Sequence, residues 1–213
     1  MKPPRALLVC GVLSSLLYVV IDMVAAICCT DFHSFTSQTI SELMARGAPT
    51  KPFVDPLFLF YDVLAIAFGI GVWMCARRNR PLRVTAGLLV GYGIVGLPGP
   101  RFFPMNLRGA GDTGEDIRHI ILTGVIVLFI IGAVGFGAFA LGQRFRSYSY
   151  ATLLTIVVFG VLSGIGAREL ATGAPTPWIG LAERANIGAF LLWVAVLAFS
   201  LLRSQQSTAA TSS

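Results

Sequence analysis

Titratable side chains cluster in this sequence where apolar segments meet polar stretches. His119 follows Glu115 and Asp116 at spacings of four and three residues, which place the three side chains on one face of a helix. Because imidazole titrates near neutral pH and a carboxylate can orient it, His119 is a candidate general base, with Asp116 or Glu183 as its partner. A histidine that is only hydrogen-bonded at a helix end explains the same spacing.

A second set of polar side chains has the composition of a binding site for an amphiphile. The guanidinium of Arg184 suits a headgroup phosphate, and an ion pair within the protein is the alternative. Asp22 and Asp62 each lie about 9 Å inside an apolar segment, where a carboxylate is costly and faces the bundle interior. Asp22 and Asp62 could therefore either relay protons or pair with Arg184 or Asn186. The predicted ligand-binding residues are Asp22, Ser41, Glu42, Asp62, Arg101, Arg118, Arg184 and Asn186.

The motifs of several other chemistries are absent from the sequence. The two histidines, His33 and His119, form no HxxxH or HExxH arrangement, so we predict no metal site. Ser41 has no histidine and aspartate positioned in sequence to make it a nucleophile. There is no glycine-rich phosphate loop or haem-attachment motif, and no cofactor is expected.

Composition places these side chains in a membrane domain. Of the 213 residues, 55% are hydrophobic and 12% are charged, about half the charged fraction of a typical soluble protein. The net charge of +6 does not indicate nucleic-acid binding, because the basic residues flank apolar segments. The four cysteines lie in or beside such segments without CxxC spacing and behave as small apolar side chains.

Six apolar segments are long enough to cross a bilayer. They cover residues 5–28, 57–76, 82–98, 119–142, 149–167 and 182–202. The predicted fold is all-α, a polytopic integral membrane protein in which residues 1–203 form one six-transmembrane-helix bundle. Residues 204–213 are predicted to form a disordered cytoplasmic tail.

Short arginine clusters orient the predicted bundle. Arg77-Arg78-Asn79-Arg80 and Arg144-Phe145-Arg146 lie in tight connections, where positive charge marks the cytoplasmic side. Nine Lys and Arg residues lie on that side and seven on the other, whereas none of the ten acids lies on it. We therefore expect both termini in the cytoplasm and a polar cup that opens outward.

The longest connection, residues 30–52, carries helix signals. Thr39-Ile-Ser-Glu42 fits a capping box, and Gly47 suits the position after a helix end. These signals predict a short extracytoplasmic surface helix over residues 38–46. Glu42-Leu43 with Gly47-Ala-Pro-Thr50 resembles Glu169-Leu170 with Gly173-Ala-Pro-Thr176, which either a duplicated hairpin or coincidence explains.

Several short motifs, in order, resemble a bacterial and archaeal membrane family known only as domain of unknown function 998. They are Ser37-Gln-Thr-Ile-Ser41-Glu42-Leu43, His119, Gly180-Leu-Ala-Glu183-Arg184 and Trp193. The resemblance covers nearly the whole chain and implies six spans and a location in the plasma membrane of a prokaryote. It implies no substrate, reaction or cofactor.

Three functions are compatible with these residues. The first is non-catalytic binding of a lipid or lipid-linked amphiphile in the outward cup. The second is a membrane-embedded hydrolase or transferase that uses His119 with a carboxylate. The third is a small proton-coupled transporter that uses Asp22 and Asp62. Membrane lipids and a lipid-like small molecule are the expected partners, nucleic acid is not, and the sequence assigns no oligomeric state.

Overall fold

The computed structural model describes residues 5–29, 33–110 and 114–210, which are helical with no strand in these ranges. In chain order the elements are α1 (Arg5–Cys28), a 3-10 turn (Ser41–Met44), α2 (Lys51–Ala76), α3 (Arg80–Gly96), α4 (Gly99–Phe102), α5 (Gly114–Gly137), α6 (Gln143–Thr172) and α7 (Ile179–Ala210).

Within the described residues, five helices are long and apolar enough to cross a membrane, namely α1, α2, α5, α6 and α7. The chain is therefore an integral membrane protein. The remaining long helix, α3, has 17 residues and a length of about 25 Å. It packs between α2 and α5 in the same bundle.

The helices extend past several of the predicted apolar segments. α2 begins at Lys51, with Pro52 in its first turn, where the sequence predicts a start at residue 57. α7 continues to Ala210, through residues 204–210 of the predicted disordered tail, and 211–213 lie outside the described residues. An established helix propagates through Ser, Gln and Ala at little cost, which explains why α7 does not end with its apolar stretch.

The long helices form a ring in which each packs against its neighbours in the chain. α2 packs extensively against α1 and α3, α3 against α5, α6 against α7, and α7 returns to α1. α5 and α6 contact each other less than any other neighbouring pair. At one end of the ring the connections are short, and at the other end residues 33–50 and 97–110 fold over the helices. We call this second end the capped end and the first the arginine end.

Trp193 anchors the middle of α7 against two other helices. Its side chain is fully buried and its indole N–H donates to Ser149 Oγ on α6 at 2.9 Å. Phe190 stacks on its ring, and Phe145 packs at a tilt. Gly137 of α5 lies against the indole, so a Cβ at that position would collide with it. Trp193 thus fixes α7 relative to α5 and α6.

Trp193→Ala should cost about 3–5 kcal/mol of stability, because it removes a large buried ring and leaves the Ser149 hydroxyl without its donor. Trp178→Ala is the matched control, since 70% of the Trp178 residue surface is exposed. The measurement is the thermal unfolding midpoint of the detergent-solubilised protein. Equal midpoints for the two variants would contradict the role assigned to Trp193.

Candidate functional site

At the capped end, a capping box forms but the predicted surface helix does not. The backbone N–H and the hydroxyl of Thr39 donate to Glu42 Oε2 at 2.7 and 3.1 Å, and Glu42 N donates back to Thr39 Oγ1 at 3.2 Å. The helix predicted over residues 38–46 is reduced to the 3-10 turn Ser41–Met44. Glu42 and Leu43 are buried, so this turn packs into the bundle rather than lying on the membrane surface.

Side chains from outside the turn explain why the helix ends so early. Thr50 Oγ1 donates to the carbonyl of Leu43 at 2.6 Å, and Lys51 Nζ donates to the carbonyl of Met44 at 2.9 Å. These carbonyls are therefore satisfied without the backbone N–H groups that a longer helix would supply. The tertiary contacts replace the predicted helical turns.

The guanidinium of Arg184 joins α7, α1 and the segment that follows α1. Its Nε and Nη2 donate to the two carboxylate oxygens of Asp22 at 2.9 and 2.7 Å. Its Nη1 donates to the carbonyls of Phe35, Gln38 and Gly180 at 2.7, 2.9 and 3.1 Å. The guanidinium also lies 4.0 Å from the centre of the Phe35 ring. Of the two roles considered for Asp22, proton relay and pairing with Arg184 or Asn186, the structure shows the ion pair with Arg184.

His33 completes the contacts of Arg184. Arg184 Nη2 donates to His33 Nε2 at 3.1 Å, so the neutral ring carries its proton on Nδ1. His33 Nδ1 is buried and has no hydrogen-bond partner in the described part of the chain. Burial first, then the adjacent Arg184 charge, lowers the pKa of His33, while Asp22 and Glu42 act in the opposite direction. With all its donors engaged, Arg184 has none left for a headgroup.

The neighbouring carboxylate, Glu183, holds the 3-10 turn. One of its oxygens accepts from the backbone N–H of Ile40, and the other accepts from Ser41 Oγ at 3.2 Å. Gly180 lies one turn earlier on α7, where a Cβ would collide with the carbonyl oxygens of Phe35 and Gln38. The Gly180–Arg184 motif is therefore the docking surface of the segment 33–50.

Arg108 is the residue that sequence reasoning missed. Its Nε and Nη2 donate to the two carboxylate oxygens of Glu42, both at 3.1 Å. Nη1 donates to Thr176 Oγ1 at 2.5 Å and Nη2 to the Ser37 carbonyl at 2.7 Å. Nothing near Arg108 in sequence signals these contacts, since Glu42 lies 66 positions away.

His119 is hydrogen-bonded to a backbone carbonyl and not to the carboxylates that were predicted to assist it. Its Nδ1 is 2.8 Å from the carbonyl oxygen of Phe103, which can only accept, so Nδ1 carries the proton and Nε2 is unprotonated in the neutral ring. Asp116 accepts from the backbone N–H and the side-chain amide of Asn106 at 2.8 and 3.0 Å. Glu183 is engaged with the 3-10 turn. Among the described residues, the Phe103 carbonyl is the hydrogen-bond partner of His119.

The other predicted ligand-binding residues occupy separate places. Asp62 of α2 is 5% exposed, and its carboxyl packs against Gly96 of α3 without a hydrogen-bond or ion-pair partner in the described ranges. Asn186 Nδ2 donates to the carbonyl of Ile156 on α6 at 2.7 Å. Arg101 and Arg118 are exposed at the rim of the capped end, and Arg118 is 3.8 Å from Glu115.

No group of three or more His, Cys, Asp or Glu side chains within 5–29, 33–110 and 114–210 is placed to hold a metal ion. What these residues form is a polar cap on an apolar helical bundle. The side chains that join the connections to the helices are Arg184, Glu183, Glu42 and Arg108. The exposed side chains of Arg101 and Arg118 lie at the rim of the cap.

The fold and the site together define the class of this protein as an all-helical membrane bundle with a polar cap at one end. Within it, the chain belongs to the family described as "Protein of unknown function (DUF998)", whose model matches residues 12–200. This confirms the resemblance seen in the sequence motifs. No curated protein and no solved structure gives a significant match.

Arg184→Ala should destabilise the protein by about 3–5 kcal/mol, because it leaves the Asp22 carboxylate buried and unpaired. Arg118→Ala is the control, since its side chain is 60% exposed and its ion pair is long. The thermal midpoint in detergent reports both changes. Adding Asp22→Asn to Arg184→Ala should restore part of the loss, and an Arg184→Ala variant as stable as wild type would contradict the assigned role.

Acidification should destabilise the protein through His33. Because the folded-state pKa of His33 lies below its usual 6.5, the unfolded chain takes up this proton first as the pH falls. The His33 contribution is fully present above about pH 6.5 and is lost as the pH falls from there through the folded-state pKa. Thermal midpoints measured across this range should decline less in His33→Gln, which keeps a neutral acceptor for Arg184. Parallel declines in the two proteins would exclude His33 as the source.

Proposed function

We propose that this integral membrane protein binds an anionic lipid or lipid-linked amphiphile in the leaflet at its capped end. The proposal takes α3 as a sixth span, because its length of about 25 Å needs only modest thinning of a bilayer core about 30 Å thick. It also takes the capped end as the outer one, because the connections at the opposite end are rich in arginine.

The observation that carries the proposal is the lack of packing in parts of α5 and α6. Residues 114–129 of α5 and 157–169 of α6 include no buried position, although each stretch covers more than three helical turns. A helix that packs along its length against neighbours buries one face. We call these two stretches the open stretches, and both adjoin the capped end.

The open stretches offer apolar surface to a hydrocarbon chain. Ile120, Ile121 and Leu128 of α5 are more than half exposed, as are Val161 and Ile165 of α6. No atom lies within 4 Å of the position that a Cβ would take at Gly124 or Gly164. An amphiphile can therefore lay its chain along these helices without displacing a protein side chain.

Arginines with available donors lie at the polar end of the open stretches. Arg101 and Arg168 are exposed and have no hydrogen-bond or ion-pair partner within the described ranges, and Arg118 has its single long pair. Arg168 lines a shallow depression of about 350 Å³ with Val161, Gly164 and Ile165. Cations above an apolar surface match an anionic headgroup above a hydrocarbon chain. Arg184 and Arg108 differ from these exposed arginines, because acceptors within the protein already take their donors.

A photoreactive polyprenyl monophosphate tests the proposal. The affinity for the probe, read as cross-linking to the open stretches of α5 and α6, should fall by roughly a hundredfold in the Arg101→Gln/Arg118→Gln/Arg168→Gln variant, since each of the three charges near the headgroup contributes about 1 kcal/mol. The matched control removes three arginines from the opposite end, in Arg78→Gln/Arg80→Gln/Arg144→Gln.

The control should keep the wild-type yield on the open stretches of α5 and α6, which lie at the other end of the bundle. Equal losses in the two triple variants would show that net charge alone draws the probe to the protein. Cross-links spread evenly over all the spanning helices would likewise overturn the proposal.

A further inference from the structure

The arginine end concentrates positive charge that no described residue there neutralises. The connections after α2 and after α5 are joined, because Asn79 Nδ2 donates to the Ala140 carbonyl at 2.7 Å. Asn79 also caps α3, its side chain accepting from Leu82 N at 3.0 Å. The residues 77–83 and 138–146 contain no Asp or Glu. Their arginines, which together we call the arginine saddle, are Arg77, Arg78, Arg80, Arg83, Arg144 and Arg146.

Arg77 adopts a backbone conformation that is energetically unfavourable for an arginine. Its φ is +41°, and it is the one non-glycine residue with positive φ in the described ranges. Glycine adopts this region without steric cost, whereas a residue with a Cβ is strained there. The carbonyl of Arg77 accepts from Arg83 Nη2, which ties the strained position to α3. A side chain kept at such a position points to a use for its charge.

Two arginines of the saddle are placed against lipid-facing aromatic rings. The guanidinium of Arg83 lies 5.6 Å from the centre of the Trp73 ring, and that of Arg146 lies 5.3 Å from the centre of the Phe139 ring. Both rings are about half exposed, at 51% and 54%. An exposed tryptophan on a membrane protein is typical of the level where hydrocarbon meets headgroups, so Trp73 indicates that the Arg83 guanidinium lies near that level.

One donor of the saddle also lacks an acceptor. Arg146 Nε is shielded from solvent and has no hydrogen-bond partner in the part of the chain that the structure describes. A guanidinium can donate but not accept, so this donor needs an acceptor that the described residues do not supply in this arrangement. Phosphate oxygens are suitable acceptors for the saddle, because arginine presents paired donors to them.

We propose that the arginine saddle binds the phosphate of an anionic glycerophospholipid in the leaflet at the arginine end. The acyl chains lie beside Trp73 and Phe139, and the phosphate lies between the two joined connections. The site is at the opposite end of the bundle from the amphiphile site proposed above, and it rests on different residues. The same phosphate chemistry occurs in soluble phosphates, which the experiment separates from lipid.

Tryptophan fluorescence in bilayers tests the site. Trp178→Phe leaves Trp73 as the exposed reporter, because Trp193 is fully buried. Phosphatidylglycerol brominated on its acyl chains should quench Trp73 more strongly than brominated phosphatidylcholine at the same mole fraction. Arg144→Gln/Arg146→Gln should lower the apparent affinity for the anionic lipid roughly tenfold, as expected for two near-surface charges.

Arg77→Gly provides the sharper variant, because it removes a charge and relieves the backbone strain together. It should weaken the preference for phosphatidylglycerol while the thermal midpoint stays the same or rises. A purely structural role for Arg77 would lower the midpoint and leave the lipid preference intact, which would overturn the proposal. Equal quenching by the two lipids in the Trp178→Phe background would overturn it as well.

Two further measurements distinguish lipid binding at the saddle from quenching at the capped end and from binding of a soluble anion. In the Trp73→Phe background, Trp178 reports the capped end, and its quenching should not change with the saddle variants. Inorganic phosphate at millimolar concentration should leave the Trp73 preference in place. If phosphate abolishes it, the saddle binds a soluble anion and the lipid assignment is wrong. Failure of the polyprenyl probe at α5 and α6 would leave these results unaffected.

Discussion

The Arg184 guanidinium determines how the capped end is built. A guanidinium at the edge of an apolar bundle must have acceptors for its donors, because an unpaired buried charge is far more costly than a paired one. Asp22 neutralises the charge, while carbonyl oxygens of the segment 33–50 and of Gly180 take the other donors. The segment is held in place by these carbonyls, and its folding brings Ser41 to Glu183 and Glu42 to Arg108. Two of the family motifs, Ser37–Leu43 and Gly180–Arg184, are thus parts of one connected network.

The two ends of the bundle use arginine in opposite ways. At the capped end, Arg184 and Arg108 are enclosed by carboxylates and carbonyls, and carboxylates of the protein neutralise their charge. At the arginine end, Arg77 and Arg146 form no ion pair with a carboxylate among the described residues, so their charge is not neutralised there. The difference lies in the acceptors within reach rather than in the residue type. For this reason a count of arginines in the sequence does not distinguish a structural arginine from a binding one.

Local signals in the sequence predicted most of the helices and little of the network. Apolar length located the spanning helices, and Thr39 with Glu42 gave a capping box that forms as expected. The surface helix was predicted wrongly because Thr50 and Lys51 satisfy carbonyls that a longer helix would have used. Arg108 and His33 could not be assigned, since their partners lie 66 and 151 positions away. The lack of packing on α5 and α6 was also hidden, because lipid-facing and cavity-facing apolar residues look alike in sequence.

The pair formed by Asp22 and Arg184 joins the first long helix to the last, across 162 positions of the chain. During synthesis, α1 enters the membrane with its carboxylate long before the ribosome has produced the arginine. The ring of helices closes only when α7 arrives, and its insertion also neutralises the carboxylate of α1. A chain released before α7 would carry an unpaired acid within the bilayer, where an unpaired charge is costly.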